Sequence, residues 1–223
     1  MSCFMTSSEA LCAIVCDGAG SAQFGGEGAS VLARTMSQSL REHFRVGRAL
    51  PEDDDVWSWL DSARDRLAVA AERRETTRRA FASTLVMLVA VADKILTAHI
   101  GDGAIVARPG ETWETISRPE NGEFASTTYF ATDDPMPRLR LARHEGKWMG
   151  FAVFSDGIEN LVLDHRNDAP HKPFFNTMIA PIDALNEPGK DARLSSALAA
   201  FLRGPKVCDK TDDDKTLLLL SSR

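Results

Sequence analysis

The chain has 223 residues, of which 43% are hydrophobic and 26% are charged, an ordinary balance for a globular protein. The formal net charge of −6 disfavours a broad nucleic-acid-binding surface, and no apolar run approaches the roughly 20 residues that a membrane span needs. Residues 1–9 contain no basic stretch leading into an apolar one, so we expect a cytoplasmic protein with neither nucleic acid nor membrane as partner. A single domain over residues 1–223 is the simplest organisation.

The first half of the chain predicts one buried strand, two helices and a hairpin. Residues 11–16 form a short apolar run that predicts the strand. Apolar residues recur at helical spacing over residues 27–44 and again over 57–71, which predicts two amphipathic helices. Residues 81–91 and 95–100 are rich in β-branched and apolar residues around a short turn, which predicts a β-hairpin.

The second half predicts a meander of antiparallel strands, two further helices and a closing strand. The strands are expected at residues 104–108, 113–116, 138–144, 148–154 and 215–220, and the helices at 174–185 and 192–202. Residues 117–137 lack periodicity, and because a loop of that length is usually functional we treat them as a candidate flap. This order of elements predicts an α+β fold in which helices cover antiparallel sheets.

Aspartates stand at the ends of several predicted strands. Asp17 follows the first strand, Asp102 lies in the sequence Gly-Asp-Gly after the hairpin, and Asp156 lies in Ser-Asp-Gly after a later strand. Residues 212–214, all aspartate, precede the last strand. Carboxylates gathered at one edge of the sheets would repel each other unless cations lie between them. Because Mg²⁺ and Mn²⁺ prefer oxygen ligands, the pattern predicts a divalent-metal site.

Other interpretations of these segments are open or excluded. Residues 18–26 do not form a nucleotide-binding loop, because Gln23 replaces the third small residue of the dinucleotide motif and Glu27 stands where a phosphate-binding loop has Ser or Thr. The glycines could instead only turn the chain, and residues 212–214 could be an exposed acidic turn. The arginines at 73, 74, 78 and 79 could bind phosphate, but a solvated helix end is favoured.

The four cysteines show neither zinc-ligand nor redox spacing. They are Cys3, Cys12, Cys16 and Cys208. Cys12 and Cys16 would lie on the same face of a strand, so we interpret these two as reduced core residues.

Taken together, the motifs at residues 15–21, 101–103, 154–157 and 213–216 resemble those of the metal-dependent Ser/Thr protein phosphatases of type 2C, the PPM family, and especially its bacterial branch. The resemblance implies a four-layer α-β-β-α sandwich, with two antiparallel sheets flanked by helices and a two-metal site at one end. It implies Mn²⁺ or Mg²⁺ as cofactor, a phosphoprotein as substrate and a Ser/Thr kinase as the opposing partner.

The resemblance also assigns roles to individual residues. Asp17, Asp156 and Asp213 are the expected catalytic ligands, with Asp17 bridging two metals. The Gly18 carbonyl is expected to bind one of them, Asp214 is the alternative to Asp213 if the motif shifts by one residue, and Asp102 matches a weaker third site. The implied reaction is hydrolysis of a phosphomonoester by water activated between two ions.

One difference from the family supports a second hypothesis. Family members begin with a strand and an acidic motif before the strand that ends at Asp17, whereas here residues 1–10 precede it and Glu9 is the only acid among them. The alternative function is therefore a catalytically impaired, phosphatase-like module that binds a phosphoprotein or a kinase.

Overall fold

The structure is a computed structural model that describes residues 2–7, 10–47, 49–120, 128–164, 166 and 168–222. Within these residues the strands are Ser2–Ser7 (β1), Ala10–Val15 (β2), Leu85–Val91 (β3), Lys94–Ile100 (β4), Ala104–Arg108 (β5), Glu114–Ser117 (β6), Arg140–Glu145 (β7), Gly150–Phe154 (β8), Leu163–Asp164 (β9), Ala169–Pro170 (β10) and Leu217–Ser221 (β11). The helices are Gly25–Val46 (α1), Asp53–Glu72 (α2), Glu159–Val162 (α3), Lys172–Asp183 (α4), Ala192–Leu202 (α5) and Pro205–Cys208 (α6). Short 3₁₀ turns lie at Arg78–Phe81 and Asp156–Ile158.

Two antiparallel sheets form the centre of the molecule. The first has the strand order β1-β2-β3-β4-β7 and the second has the order β11-β8-β5-β6. Strand β3 pairs along its length with both neighbours in the first sheet. Its Val91 lies opposite Ala10 of β2, and its Leu85 lies opposite Ile100 of β4. The short strands β9 and β10 pair only with each other among the described residues.

Helices cover the outer faces of both sheets. Both faces of β2 are buried, which explains why the whole strand is apolar. Ile14 packs under α1 and α2, whereas the next residue, Val15, packs between the sheets against residues such as Val153 of β8. The outer face of the second sheet packs on α4 and α5, with Phe154 and Phe175 among the buried contacts. The layers are therefore α-β-β-α, which confirms the predicted fold class.

Most predicted elements are present, but their arrangement into sheets differs from a simple meander. Strands β7 and β8 lie in different sheets, although they are joined by a short connection. Gly146 lies between them with φ of +146°, and its N–H donates to the carbonyl of Asp93 at 2.8 Å, so the chain is fixed at the β3–β4 turn before it crosses to the second sheet. The same crossing occurs after β4, where the chain leaves for β5.

The strand β1 was not predicted. It pairs with β2 from Ser2 opposite Ile14 to Ser7 opposite Ala10. A strand therefore precedes the one that leads to Asp17, which corrects one part of the expected difference from the family. The other part of the expected difference is the acidic motif, for which Glu9 is the only acid in residues 1–10. Glu9 lies outside the described residues.

Cysteine burial follows the prediction at two positions. Cys12 and Cys16 are buried free thiols, and burial raises the pKa of Cys16 to about 12. Cys208 is free and exposed at the end of the one-turn helix α6. The side chain of Cys3 lies outside the described residues.

Among the described helices, none combines the length and apolar character needed to cross a membrane.

Candidate metal centre

Asp17 is held at the point where β2 leaves the sheet. Its N–H donates to the Thr84 hydroxyl at 3.1 Å, and its carbonyl accepts from the Thr84 N–H at 2.8 Å. The next residue, Gly18, pairs with Ser83 as an isolated antiparallel bridge. The backbone of Asp17 is therefore fixed by the start of β3, and its carboxylate is half-buried at the sheet edge.

The glycines after Asp17 allow the chain to double back into α1. A β-carbon at Gly18 would overlap the backbone of Gly25, and one at Gly25 would lie 2.7 Å from the Ala19 carbonyl oxygen. The turn is closed by hydrogen bonds to the segment before β3, where the Ala19 N–H donates to Ala82 at 2.9 Å. Glycine is needed here for close backbone packing, so Gly18 and Gly25 allow the tight turn that directly follows Asp17.

Asp102 stands in the tight connection between the two sheets. Gly101 before it has φ of +105°, and a β-carbon there would lie 2.6 Å from the Thr84 side chain. Gly103 after it is equally restricted by the Phe154 carbonyl oxygen, which would be 2.6 Å from a β-carbon. The Gly-Asp-Gly sequence therefore reflects close packing on both sides of Asp102.

Asp156 and the turn at residues 213–214 are joined by the Ser155 side chain. Its hydroxyl accepts from the Thr216 N–H at 3.2 Å and donates to the Asp214 carbonyl at 3.3 Å. Asp213 and Asp214 are exposed, and the Asp213 carboxylate accepts from the Asp214 N–H at 2.8 Å. The structure thus brings the strand-end turn of β8 and the start of β11 to the same place.

The acids influence one another electrostatically. The pKa of Asp17 is raised from 3.8 to about 6, first by burial and then by the charges of Asp213 and Asp214. The pKa of Asp156 is raised to about 7 by burial and by Asp102, Asp213 and Asp17. Burial and then Asp213 also raise the pKa of Asp102. All five predicted acids therefore lie at one end of the sandwich, and Asp213 acts on each of the three half-buried ones.

These carboxylates are not arranged as a finished metal cage. Across the described residues, no three or more His, Cys, Asp or Glu side chains are placed so that they could hold an ion as they stand. The exposed Asp213 carboxylate accepts from the N–H of its own neighbour, Asp214, whereas the Asp17 and Asp156 side chains lie within hydrogen-bonding distance of each other. The donor set of carboxylate and carbonyl oxygens fits a hard divalent ion in its chemistry.

Sequence reasoning missed the residues that support the site from the predicted flap. Thr128 and Tyr129 lie beside Gly101 and Asp102, and residues 121–127 lie outside the described part of the chain. Thr128 is close enough to lower the pKa of Asp102, although its hydroxyl makes no hydrogen bond of ordinary geometry to a described residue. Arg64 of α2 donates to the Ala131 carbonyl at 2.6 Å. Arg64 falls within the apolar stripe of Leu60 and Leu67, and that position was the signal available in the sequence.

The arginines after α2 are only partly solvated. Arg79 is exposed, as expected for a helix end, and its side chain is 3.8 Å from Asp133. Arg78 has only 21% of its side chain exposed and forms an ion pair with Asp134, while Arg74 forms one with Glu27 at 2.7 Å. The interpretation as a wholly solvated end was therefore wrong for Arg78, which binds the end of the predicted flap.

Comparisons with known proteins agree with this geometry. The family model for protein phosphatase 2C matches residues 2–203, which include Asp17, Asp102 and Asp156. Serine/threonine-protein phosphatase 3 of Escherichia coli (strain K12) is 35% identical over 210 residues, covering 94% of this chain and 83% of that protein.

Solved structures show the same fold. A crystal structure of a bacterial serine phosphatase has a TM-score of 0.69 at 13% identity and covers 100% of this chain and 90% of its own. The serine/threonine phosphatase Stp1 from Staphylococcus aureus has a TM-score of 0.64 at 15% identity, covering 99% and 87%. Since the family model spans nearly the whole chain and the E. coli relative aligns over almost all of it, the chain belongs to the protein phosphatase 2C family.

Proposed function

We propose that the chain hydrolyses phosphoserine and phosphothreonine on proteins with Mn²⁺ or Mg²⁺ bound at the acidic end of the sandwich. The observation that carries this proposal is the convergence of Asp17, Asp102, Asp156 and Asp213, which come from four separate strand ends. Burial and neighbouring carboxylates raise the pKa of the first three. A fold does not keep such charges together without a compensating partner, and a divalent cation is the partner that oxygen ligands select.

The residues of the chain would hold the ions and fix one another's positions. In this proposal Asp17 and the Gly18 carbonyl bind from the first sheet, and Asp156 and Asp213 bind from the second, with Asp214 as the alternative to Asp213 and Asp102 at a weaker third site. Bound ions would supply a water of lowered pKa and would neutralise charge on the phosphate. Thr84 keeps the Asp17 backbone in place through two hydrogen bonds.

A cavity beside the acids gives a substrate room to approach. It has a volume of about 810 Å³ and lies between Asp17 and Asp214 on one side and α1 on the other. Arg34 of α1 lines it, and Lys215 lines it next to the acidic turn. Arg41 also lines it, and three basic side chains beside a carboxylate cluster suit a dianionic phosphate attached to a protein side chain. A Ser/Thr kinase that forms such residues is the opposing enzyme in this proposal.

The direct test measures release of phosphate from a phosphothreonine peptide and from p-nitrophenyl phosphate with Mn²⁺, with Mg²⁺ and with EDTA. We expect metal-dependent turnover that Asp17→Asn reduces by at least about a hundredfold, because a ligand to both ions is lost. The matched control is Asp212→Asn, which removes an exposed acid from the same acidic run and should change turnover less than about twofold.

Calorimetric titration of Mn²⁺ separates this function from the alternative. Metal binding with no turnover of either substrate would favour a phosphatase-like binding module. The absence of both binding and turnover, or turnover that Asp17→Asn leaves intact, would contradict the assignment of the acids.

A further inference from the structure

Arg64 holds a segment of the predicted flap from inside the protein. The residue is only 6% exposed, and its Nη1 donates to the carbonyls of Ala131 at 2.6 Å and Asp133 at 2.9 Å. Its Nη2 donates to the Asp134 carboxylate at 3.3 Å and to the Pro135 carbonyl at 3.4 Å. One side chain from α2 therefore binds most of residues 129–135, which we name the wall segment.

The buried Arg64 guanidinium requires hydrogen-bond acceptors for its N–H groups. A buried guanidinium is costly unless its donors are satisfied, and here three of the four acceptors are backbone carbonyls. Burial lowers the pKa of Arg64, Arg78 lowers it further, and Asp134 partly opposes both. Arg78 also pairs with Asp134, so two cations share this carboxylate. The planar fork of arginine suits several acceptors at once, which the single ammonium of lysine does not.

The wall segment borders the acidic site. The Ala131 N–H donates to the Ser83 carbonyl at 2.9 Å, and Ser83 is the residue that pairs with Gly18. The Tyr129 carbonyl oxygen would lie 3.1 Å from a β-carbon at Gly101, directly before Asp102. The segment thus forms the side of the site next to Asp102.

The wall segment and Asp17 are held by different contacts. Asp17 is fixed by the β2–β3 pairing and by Thr84, none of which involves Arg64. Loss of Arg64 would therefore remove four hydrogen bonds from the wall segment and loosen it, leaving the Ala131–Ser83 hydrogen bond and the Arg78–Asp134 pair, while the backbone around Asp17 stays paired. A small phosphate ester needs only the acids, whereas a phosphoprotein must also lie against the residues around them.

We propose that Arg64 is a positioning residue that fixes the wall segment as a surface for the polypeptide of a phosphoprotein substrate. The inference rests on the proposed function and adds to it a determinant of protein over small-molecule substrates. Nothing in it requires Arg64 to touch the substrate.

The test compares Arg64→Met and Arg64→Lys with Arg66→Met. Arg66 lies on the same helix and donates to Thr35 of α1 at 3.3 Å, which makes it a matched control for loss of an α2 arginine. Hydrogen–deuterium exchange of peptides covering residues 129–135 reports the wall segment directly and needs neither metal nor substrate. We expect faster exchange in Arg64→Met, an intermediate rate in Arg64→Lys, and the wild-type rate in Arg66→Met.

Kinetics provide the second measurement. For Arg64→Met we expect kcat/KM on a phosphothreonine peptide to fall about tenfold more than kcat/KM on p-nitrophenyl phosphate, mainly through KM. Arg64→Lys should lie between Arg64→Met and wild type. If Arg64→Met fails to fold, Arg64→Lys alone decides the question by the same two measurements.

Several outcomes would overturn the inference. Unchanged exchange in the wall segment would show that Arg64 does not hold it, and an equal loss on both substrates would show that it acts on the chemistry instead. Failure of the proposed function is distinguishable, because the wild-type protein would then show no metal-dependent turnover of either substrate.

Discussion

The carbonyl oxygen of Asp214 occupies the space that a β-carbon on Gly157 would need. The two would overlap, and the Asp213 side chain would be 3.5 Å away. The acidic turn before β11 therefore packs directly on the 3₁₀ turn that carries Asp156. This contact sets the relative position of two of the proposed metal ligands.

Gly157→Ala is expected to displace the acidic turn. Because backbone is the obstacle, the turn must move as a unit, and we expect Mn²⁺ affinity measured by calorimetry to fall about 10- to 100-fold. The control is Gly26→Ala in α1, where a β-carbon would have no other atom within 4 Å. That variant should keep its Mn²⁺ affinity and gain about 0.5–1 kcal/mol in unfolding free energy. Wild-type affinity in Gly157→Ala would contradict the proposed role of the turn.

Asp156→Asn should stabilise the metal-free protein. Burial and the charges of Asp102, Asp213 and Asp17 raise the pKa of Asp156 to about 7, so its ionised form is unfavourable in the folded state. Removing the charge should increase the unfolding free energy in EDTA at pH 7.5 by about 1 kcal/mol, after allowance for solvent screening of a half-buried group. The measurement is urea unfolding with and without Mn²⁺.

The same variant should lose most of the stabilisation that Mn²⁺ gives to the wild type, because binding to the folded state alone raises stability. Asp212→Asn provides the comparison and should change neither quantity by more than about 0.5 kcal/mol. A less stable metal-free Asp156→Asn would show that the acids do not repel each other as inferred.

The sequence predicted individual strands and helices better than the way in which they pair and pack. Strand β5 and helix α5 have the predicted bounds, because short apolar runs and helical spacing are local properties. The acids were proposed as ligands because each strand end carries its own signal, and the structure places them at one end of the sandwich. The division of β7 and β8 between two sheets was not predictable, since it depends on packing across the sandwich and not on the short turn between them.

The residues that position the site were not predicted from the sequence either. Arg64 was overlooked because arginine in an amphipathic helix is usually solvated, yet it shares the helix face of Leu60 and Leu67. Thr84 was read as one residue of a longer strand, although its hydroxyl binds the Asp17 N–H. Both contacts join residues 67 positions apart, and no periodicity records such a distance.

A buried ion pair ties α4 to the second sheet and should contribute strongly to stability. Arg108 donates to the Asp183 carboxylate at 2.8 Å, with 14% and 15% of the two side chains exposed. Asp183 also accepts from the Ser221 hydroxyl at 2.7 Å. Asp183→Asn leaves the guanidinium without its counter-charge, and we expect it to lower the unfolding free energy by about 2–3 kcal/mol.

The matched comparison for Asp183→Asn is Asp168→Asn in the more exposed pair with Arg118. That pair is longer, at 3.4 Å, and 57% of the Arg118 side chain is exposed. Asparagine tolerates the φ of +51° at position 168, so the backbone should not be strained. Urea unfolding should show a loss below about 1 kcal/mol. Equal losses in the two variants would show that burial does not strengthen the Arg108 pair.

His99 should make the protein sensitive to acid. It is fully buried in β4, and its Nδ1 lies 2.7 Å from the Ser117 hydroxyl and 3.0 Å from Arg140 Nη2. The arginine can only donate, so Nδ1 accepts and the ring is neutral. Burial and then the Arg140 charge lower the pKa of His99 from 6.5 to about 3, with partial opposition from the Gly101 backbone.

The direction of the pH effect follows from which state binds the proton. Below pH 6.5 the unfolded chain protonates His99 and the folded chain does not until about pH 3, so the contribution of His99 to stability falls as the pH is lowered through this window. In the metal-free protein the raised pKa values of Asp17 and Asp156 act in the opposite direction. One such group contributes a slope of up to about 1.4 kcal/mol per pH unit. Urea unfolding at pH 7.5, 6 and 5 should show that the unfolding free energy of the wild type falls relative to that of His99→Gln as the pH is lowered. The Gln carbonyl can still accept from Arg140. His171→Gln, at an exposed position, should keep the wild-type slope, and an unaltered slope in His99→Gln would mean that other groups cause the acid sensitivity.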